Sequence, residues 1–121
     1  MIANGQRHFK TQRYLKRNPD LSFVAIDTDT GALLGSIMSG HDGRRGYLQH
    51  LVVLASHRNR GIASRLVECC LAELERQGIH KSHIDVLRQN LVAQSYWEAR
   101  GWKLRTDIHR YSFTRPGSEN A

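Results

Sequence analysis

The apolar positions change period along the chain, and each change marks an element. Residues 6–17 are mostly basic and polar, with Phe9, Tyr14 and Leu15 as anchors, which predicts one short helix. Asn18-Pro19-Asp20 ends it, because proline disfavours helical backbone in the residue before it. Residues 22–26 read as a strand, and Asp27-Thr28-Asp29-Thr30-Gly31 as a turn rich in side chains that bond their own backbone. Residues 32–39 return as the partner strand of a hairpin. Gly40-His41-Asp42-Gly43 is a second turn, and residues 47–54 form a third strand, apolar enough to be central in a sheet.

From Ile62 the period lengthens. Ile62, Leu66, Cys70 and Leu74 recur every four residues, with Ala63, Val67 and Leu71 beside them. Ser64, Arg65, Glu68, Glu75 and Arg76 take the opposite side, so residues 62–77 are an amphipathic helix that Gly78 terminates. A short strand over 82–87 follows. Asn90 caps a second helix reaching Arg100, Gly101 closes it, and residues 102–113 form a last strand with Tyr111 and Phe113 on one side. Helix, hairpin, strand, helix, strand, helix, strand predicts an α/β fold: a single domain over residues 1–121, a mixed sheet flanked by helices. Residues 1–5 and 115–121 are expected to be loose.

Composition narrows the picture. At 121 residues the chain can bury one core. Its net charge of +7 favours an anionic partner, and nucleic acid and a phosphorylated cofactor both carry that sign. The only two cysteines, Cys69 and Cys70, are adjacent; on a helix they point about 100° apart and cannot pair. No apolar run approaches the roughly 18 residues of a membrane span, and no secretory leader pattern opens the chain. A cytoplasmic, reducing setting is the expectation. The histidines show no zinc spacing, so no metal is expected.

Arg58-Asn59-Arg60-Gly61-Ile62-Ala63 carries the candidate chemistry, because it lies between the apolar strand and the amphipathic helix. Amides at a helix start have no intrahelical partner, and the helix dipole adds positive charge there. Gly61 removes the Cβ that would keep a ligand from the main chain, while Arg58 and Arg60 supply forked donors suited to phosphate. The stretch is neither a P-loop nor a dinucleotide fingerprint. An ordinary solvated turn is the alternative.

Two motifs together resemble the GNAT superfamily of N-acetyltransferases. The acyl-CoA signature [RQ]-x-x-G-x-[GA] is matched by Arg58, Gly61 and Ala63 after Leu51-Val52-Val53. The family's C-terminal helix-to-strand block is matched by Asn90, Ala93, Tyr96-Trp97 and Gly101-Trp102. The similarity spans residues 20–113 and implies the GNAT fold without its usual first strand. It implies acetyl-CoA as co-substrate, its pyrophosphate on the amides of Asn59, Arg60, Gly61, Ile62, Ala63 and Ser64. Its peptide-like arm would pair with Leu51, Val52 and Val53 as an added strand, and a strand N–H would stabilise the oxyanion. Asn90 would bond the cofactor arm, cap its helix, or both.

Two positions depart from the family pattern. A tyrosine seven residues after the asparagine commonly protonates the leaving thiolate, and here that position is Trp97. Tyr96, pointing about 100° away, is either a core aromatic or a repositioned general acid. With only about twenty residues before the hairpin, the acceptor pocket is expected to be more open or completed by a second subunit. His50 is the candidate general base, with a structural histidine as the alternative; Asp42, His41 and Asp85 are further candidates. The implied activity is acetyl transfer to a primary amine by direct attack in a ternary complex. The alternatives are an acyl-CoA-binding sensor without turnover and a basic nucleic-acid-binding domain, for which no stacking platform or recognition helix is visible. A homodimer would cover an exposed sheet edge.

Overall fold

The computed structural model describes residues 9–117, so the expectations for residues 1–5 and for the last four residues lie outside the described residues. Two compact units divide the chain, one ending at Asp85 and one beginning at Val86, and each is described by itself.

The first unit contains α1 (Phe9–Arg17), β1 (Phe23–Ile26), β2 (Leu33–His41), β3 (Gly46–Val53), α2 (Ile62–Arg76) and β4 (Ser82–Ile84). The strands form one mixed sheet in the order β1-β2-β3-β4. The first three are antiparallel neighbours, and β4 returns parallel to β3 after the α2 crossover. Asp27 shapes the β1–β2 turn by accepting N–H bonds from Asp29 and Thr30 at 2.8 and 3.3 Å. Asp42 does the same for the β2–β3 turn, where its Oδ1 accepts from Arg44 and Arg45, both at 2.8 Å. That turn lies later than the sequence pattern suggests. The ladder continues through Gly40 and His41, because the Asp42 carboxylate makes a better turn centre than the glycine before it.

Helix α2 packs on β1, β2 and β3. Leu66, Cys70 and Leu74 bury the four-residue stripe read from the sequence, with Val67 beside it. Full burial of an aliphatic side chain contributes about 1.5–3 kcal/mol, so this stripe supplies much of the stability of the unit. Burial pushes the Cys70 thiol up to about 11, while Cys69 faces solvent.

Beyond the Phe23↔Ile37 pair, where β1 begins, side chains replace a strand along the β2 edge. Asn18 Oδ1 accepts the His41 N–H at 3.1 Å, and Asn18 Nδ2 donates to the Tyr14 carbonyl at 3.2 Å. Ser39 Oγ donates to the Leu21 carbonyl, and both side chains are buried. Gly40 makes room for this arrangement: a Cβ there would lie 2.5 Å from Asn18 Cγ.

The decisive irregularity is in β3. Ser36 pairs with Val52 and Met38 with Gln49, so three steps of β3 oppose two of β2. The extra residue is a β-bulge. His50 occupies it with φ of 53°, a left-handed conformation rare for residues with a Cβ. Strict alternation would set Leu48, His50 and Val52 on one face. The bulge resets it: Leu48 is buried, Val52 is 56% exposed, and Val53, like Leu66 of α2, lies within 3.4 Å of where a Gly35 Cβ would stand.

The second unit holds α3 (Leu91–Ala99) and an irregular continuation. The last strand expected over 102–113 is absent. Residues 102–117 have no ladder partner, and Leu104, Ile108, Tyr111 and Phe113 are exposed. Period-2 spacing marks a segment able to pair; it does not supply the neighbour. The strand expected over 82–87 likewise shortens to three residues.

Three outcomes follow for stability. Gly40→Ala should lower the urea-unfolding free energy by about 1–3 kcal/mol, the usual effect of overpacking. His50→Gly should raise it by up to about 1 kcal/mol, since glycine removes a left-handed penalty but adds chain entropy; His50→Val should lower it. Tyr14 carries a buried hydroxyl with no hydrogen-bond partner, and burial raises its pKa from 10.0 to about 12. The unfolded chain therefore ionises first, and stability present below pH 10 is lost as pH rises through about 12. Tyr14→Phe should flatten that loss in a pH series of urea midpoints and be no less stable at pH 7, because it deletes an unsatisfied group.

Candidate active site

The bulge ends regular pairing on the far side of β3. The β3–β4 ladder has three rungs, Gly46↔Ser82, Tyr47↔His83 and Leu48↔Ile84, while β3 continues to Val53. The Leu54 N–H donates to the Leu34 carbonyl at 2.8 Å, which orients that residue toward β2. By alternation, the N–H and C=O of Leu51 and Val53 point away from β2, where no strand of the described residues pairs with them. Arg58 Nε donates to the Val53 carbonyl from that side at 3.2 Å. Peptide groups of Leu51 and the Val53 N–H thus form an unpaired edge, able to bond a peptide-like ligand as an added strand would.

A 3₁₀ turn over Ala55–His57, not foreseen in the sequence, leads from this edge to the basic turn. Asn59 and Gly61 adopt left-handed conformations at φ of 64° and 78°, and Arg60 separates them. Alternating backbone of this kind makes N–H groups converge into an anion-binding concavity. Gly61 is the N-cap of α2 and provides no side-chain acceptor for the first amides, and the first intrahelical bond joins the Arg65 N–H to the Gly61 carbonyl at 3.1 Å. Nothing lies within 4 Å of a Cβ built on Gly61, so the concavity is open. A phosphate group fits it: converging amides, a helix N-terminus and exposed Arg58 and Arg60 share one sign. Arg58 engages its Nε in that bond to the Val53 carbonyl.

The structure thereby brings Leu51, Val52, Val53, Arg58, Asn59, Arg60, Gly61, Ile62, Ala63 and Ser64 into one continuous path along β3 and into α2. Val52 faces away from α2, so only its main chain lies on that path. His50 stands at the upper end, exposed within the bulge. His41 is committed elsewhere: its Nδ1 accepts from the Gly43 N–H and its Nε2 lies 3.0 Å from Gln77 Oε1. Two backbone N–H groups, from Arg45 and Arg44, hold the Asp42 carboxyl below its ordinary range. Sequence reasoning missed a pair on the other face, where the Tyr47 and His83 rings lie 5.7 Å apart and Tyr47 OH donates to Asp42 Oδ2 at 3.4 Å. Only the β3–β4 register reveals it. Among the described residues no three His, Cys, Asp or Glu side chains form a metal-binding group.

The second unit carries the remaining two candidates. Asn90 caps α3, its Oδ1 accepting the Ala93 N–H at 3.0 Å. Tyr96 is half-buried, edge-on to Trp97 at 5.2 Å, with the Arg100 guanidinium 4.8 Å above its ring. Trp97 is the buried member and packs edge-on against Trp102 at 4.9 Å.

Known proteins are similar to this chain. Acetyltransferase SG1711 of Sodalis glossinidius is 33% identical over 97 residues, 80% of this chain and 67% of its own length. N-alpha-acetyltransferase 30 of Schizosaccharomyces pombe is 28% identical over 98 residues, 77% of this chain and 64% of its own. The chain thus spans about two thirds of these relatives. Among solved structures, the aminoglycoside N-acetyltransferase AAC(6')-Iy in complex with CoA superposes with a TM-score of 0.73 at 19% identity, covering 91% of this chain and 87% of that one; at that identity it speaks for the fold. The model of the Acetyltransferase (GNAT) family matches residues 3–102, which include β3, the Gly61 turn and α3, and the chain belongs to that family.

Proposed function

We propose that the chain moves an acetyl group from acetyl-CoA to a primary amine by direct attack within a ternary complex. The observation that carries this reading is the continuity of the unpaired β3 edge with the Gly61 concavity. One ligand with amides at one end and phosphates at the other would satisfy both. In this reading the amides of residues 59–64 hold the pyrophosphate, with Arg58 and Arg60 on its oxygens. Leu51 and Val53 bond the pantetheine amides, and a β3 N–H beside the bulge polarises the thioester carbonyl. An imidazole at the β3–β4 margin, His50 among the candidates, takes the amine proton. The family and the amine acceptor of the aminoglycoside enzyme support the acetyl donor and the amine class.

A second reading is binding without turnover. It is favoured by Trp97, an indole with no acidic proton, in the buried position of α3.

Titration calorimetry with acetyl-CoA on wild type and Gly61→Glu tests the cradle. Wild type should bind in the micromolar range, and the substituted carboxylate should abolish binding, because like charges brought together cost several kcal/mol. Thiol release should then appear with at least one of three amines: a peptide with a free α-amine, an N-blocked lysine peptide and an aminoglycoside. Binding with no thiol release supports the sensor reading, and no binding removes both.

A further inference from the structure

We infer that His83 is the group that takes the proton from the attacking amine, and that Tyr47, anchored on Asp42, is its positioning residue. The inference rests on acetyl transfer being the reaction and names the base within it.

The geometry comes from the sheet. Gly46 and Ser82 are register partners, and a Cβ built on Gly46 would meet both Ser82 Oγ and Leu74 Cδ1. That rung therefore points toward α2. The next rung, Tyr47↔His83, points to the opposite face. One rung further, Leu48↔Ile84 is the last, and β3 and β4 stop pairing. The imidazole thus stands one rung before the opening between the strands, where the unpaired β3 edge would present a thioester.

The pair is also built for positioning. The two rings lie 5.7 Å apart and tilted by 39°, and both residues are half-buried. Tyr47 OH donates to Asp42 Oδ2, while Asp42 Oδ1 is pinned by the N–H groups of Arg44 and Arg45. A carboxylate fixed by a turn holds a phenol, and the phenol ring flanks the imidazole. His50 has no such support among the described residues: it is exposed and no ring or carboxylate contacts it. The other polar and charged groups of this margin are Gln49 on β3, Asp85 two residues beyond His83, and Arg44 and Arg45 in the turn.

The step balances without a further reactant. An ammonium R–NH₃⁺ gives one proton to the His83 imidazole. The freed lone pair forms the N–C bond to the thioester carbonyl, and the C–S bond breaks with its electron pair on sulfur. The second nitrogen proton ends on that sulfur as thiol, and the imidazolium releases the first to water. The acetylated amine, CoA thiol and one proton are the products.

The test uses the full chain, the fastest amine of the three-member panel and kcat/KM from pH 5.5 to about 10. His83→Gln should lower kcat/KM at pH 7 about 100-fold or more and move the acid limb up to the pKa of the amine. Activity should recover as pH approaches the pKa of the amine, which then arrives neutral. Acetyl-CoA affinity by calorimetry should stay at the wild-type value, which also shows that the variant is folded; His83→Asn replaces it if it is not. Tyr47→Phe should lower kcat several-fold and shift the limb with KM for acetyl-CoA unchanged, which a purely structural role would not do. His50→Gln should keep the limb. A wild-type profile in both His83 variants, or that upward move of the limb in His50→Gln, overturns the assignment while acetyl transfer stands. Wild-type binding with no acetylation of any amine overturns the reaction itself, and the role of His83 with it.

Discussion

The extra residue in β3 is the constraint on which the rest depends. Without it, the strand would present Leu48, His50 and Val52 to α2 and would leave Leu51 and Val53 on the other face. The bulge moves Leu51 and Val53 inward, and the left-handed conformation of His50, at φ 53°, is the local penalty. Packing of Val53 over Gly35 on the α2 side and the continued β2 ladder through Gly35↔Val53 offset that penalty. Pairing with β4 stops at Leu48↔Ile84, just before the bulge, so β3 donors beyond it have no ladder partner among the described residues. Backbone strain held by well-packed surroundings is a common property of binding sites, and here its location within an otherwise regular strand is informative.

Much of this architecture could be read from the residues. The α2 stripe was legible because four-residue spacing of Ile62, Leu66, Cys70 and Leu74 admits one burial pattern. The Gly61 turn was legible because a glycine flanked by arginines before such a stripe leaves few backbone choices. The bulge was not. Six of the eight residues from Tyr47 to Leu54 are apolar, and so dense a run hides a change of face; only the polar Gln49-His50 interruption hints at it. Residues 102–113 erred the other way, with alternation clear and the ladder missing. Strand propensity records compatibility with a sheet, and an edge must still be available to receive it. The Tyr47–His83 pair depends on a register between strands 36 residues apart, which no local pattern encodes.

The edge of β2 shows how the sheet manages without a longer β1. Unpaired rungs invite association with another chain. Asn18 and Ser39 occupy that edge instead, one accepting the His41 N–H and the other bonding the Leu21 carbonyl, and a glycine at position 40 lets Asn18 reach it. The helix terminator Asn18-Pro19-Asp20 therefore has a second use, since the residue that ends α1 also completes the sheet.

In the proposed reaction the two chemical demands occupy opposite ends of one strand. The anion-holding amides lie beyond Val53, at the start of α2, and the proton-accepting pair lies at Tyr47 and His83. Six residue steps of β3 run from Tyr47 to Val53, roughly 20 Å at strand spacing. A ligand that reaches both must be long, extended and rich in amides, with its phosphates at one end and its reacting carbonyl at the other. The separation also has an electrostatic reason. Phosphates close to the imidazole would stabilise its protonated form and remove the base, whereas about 20 Å is some two Debye lengths at physiological ionic strength. Fixed backbone dipoles can therefore hold a multiply charged group at one end without setting the protonation state of the other.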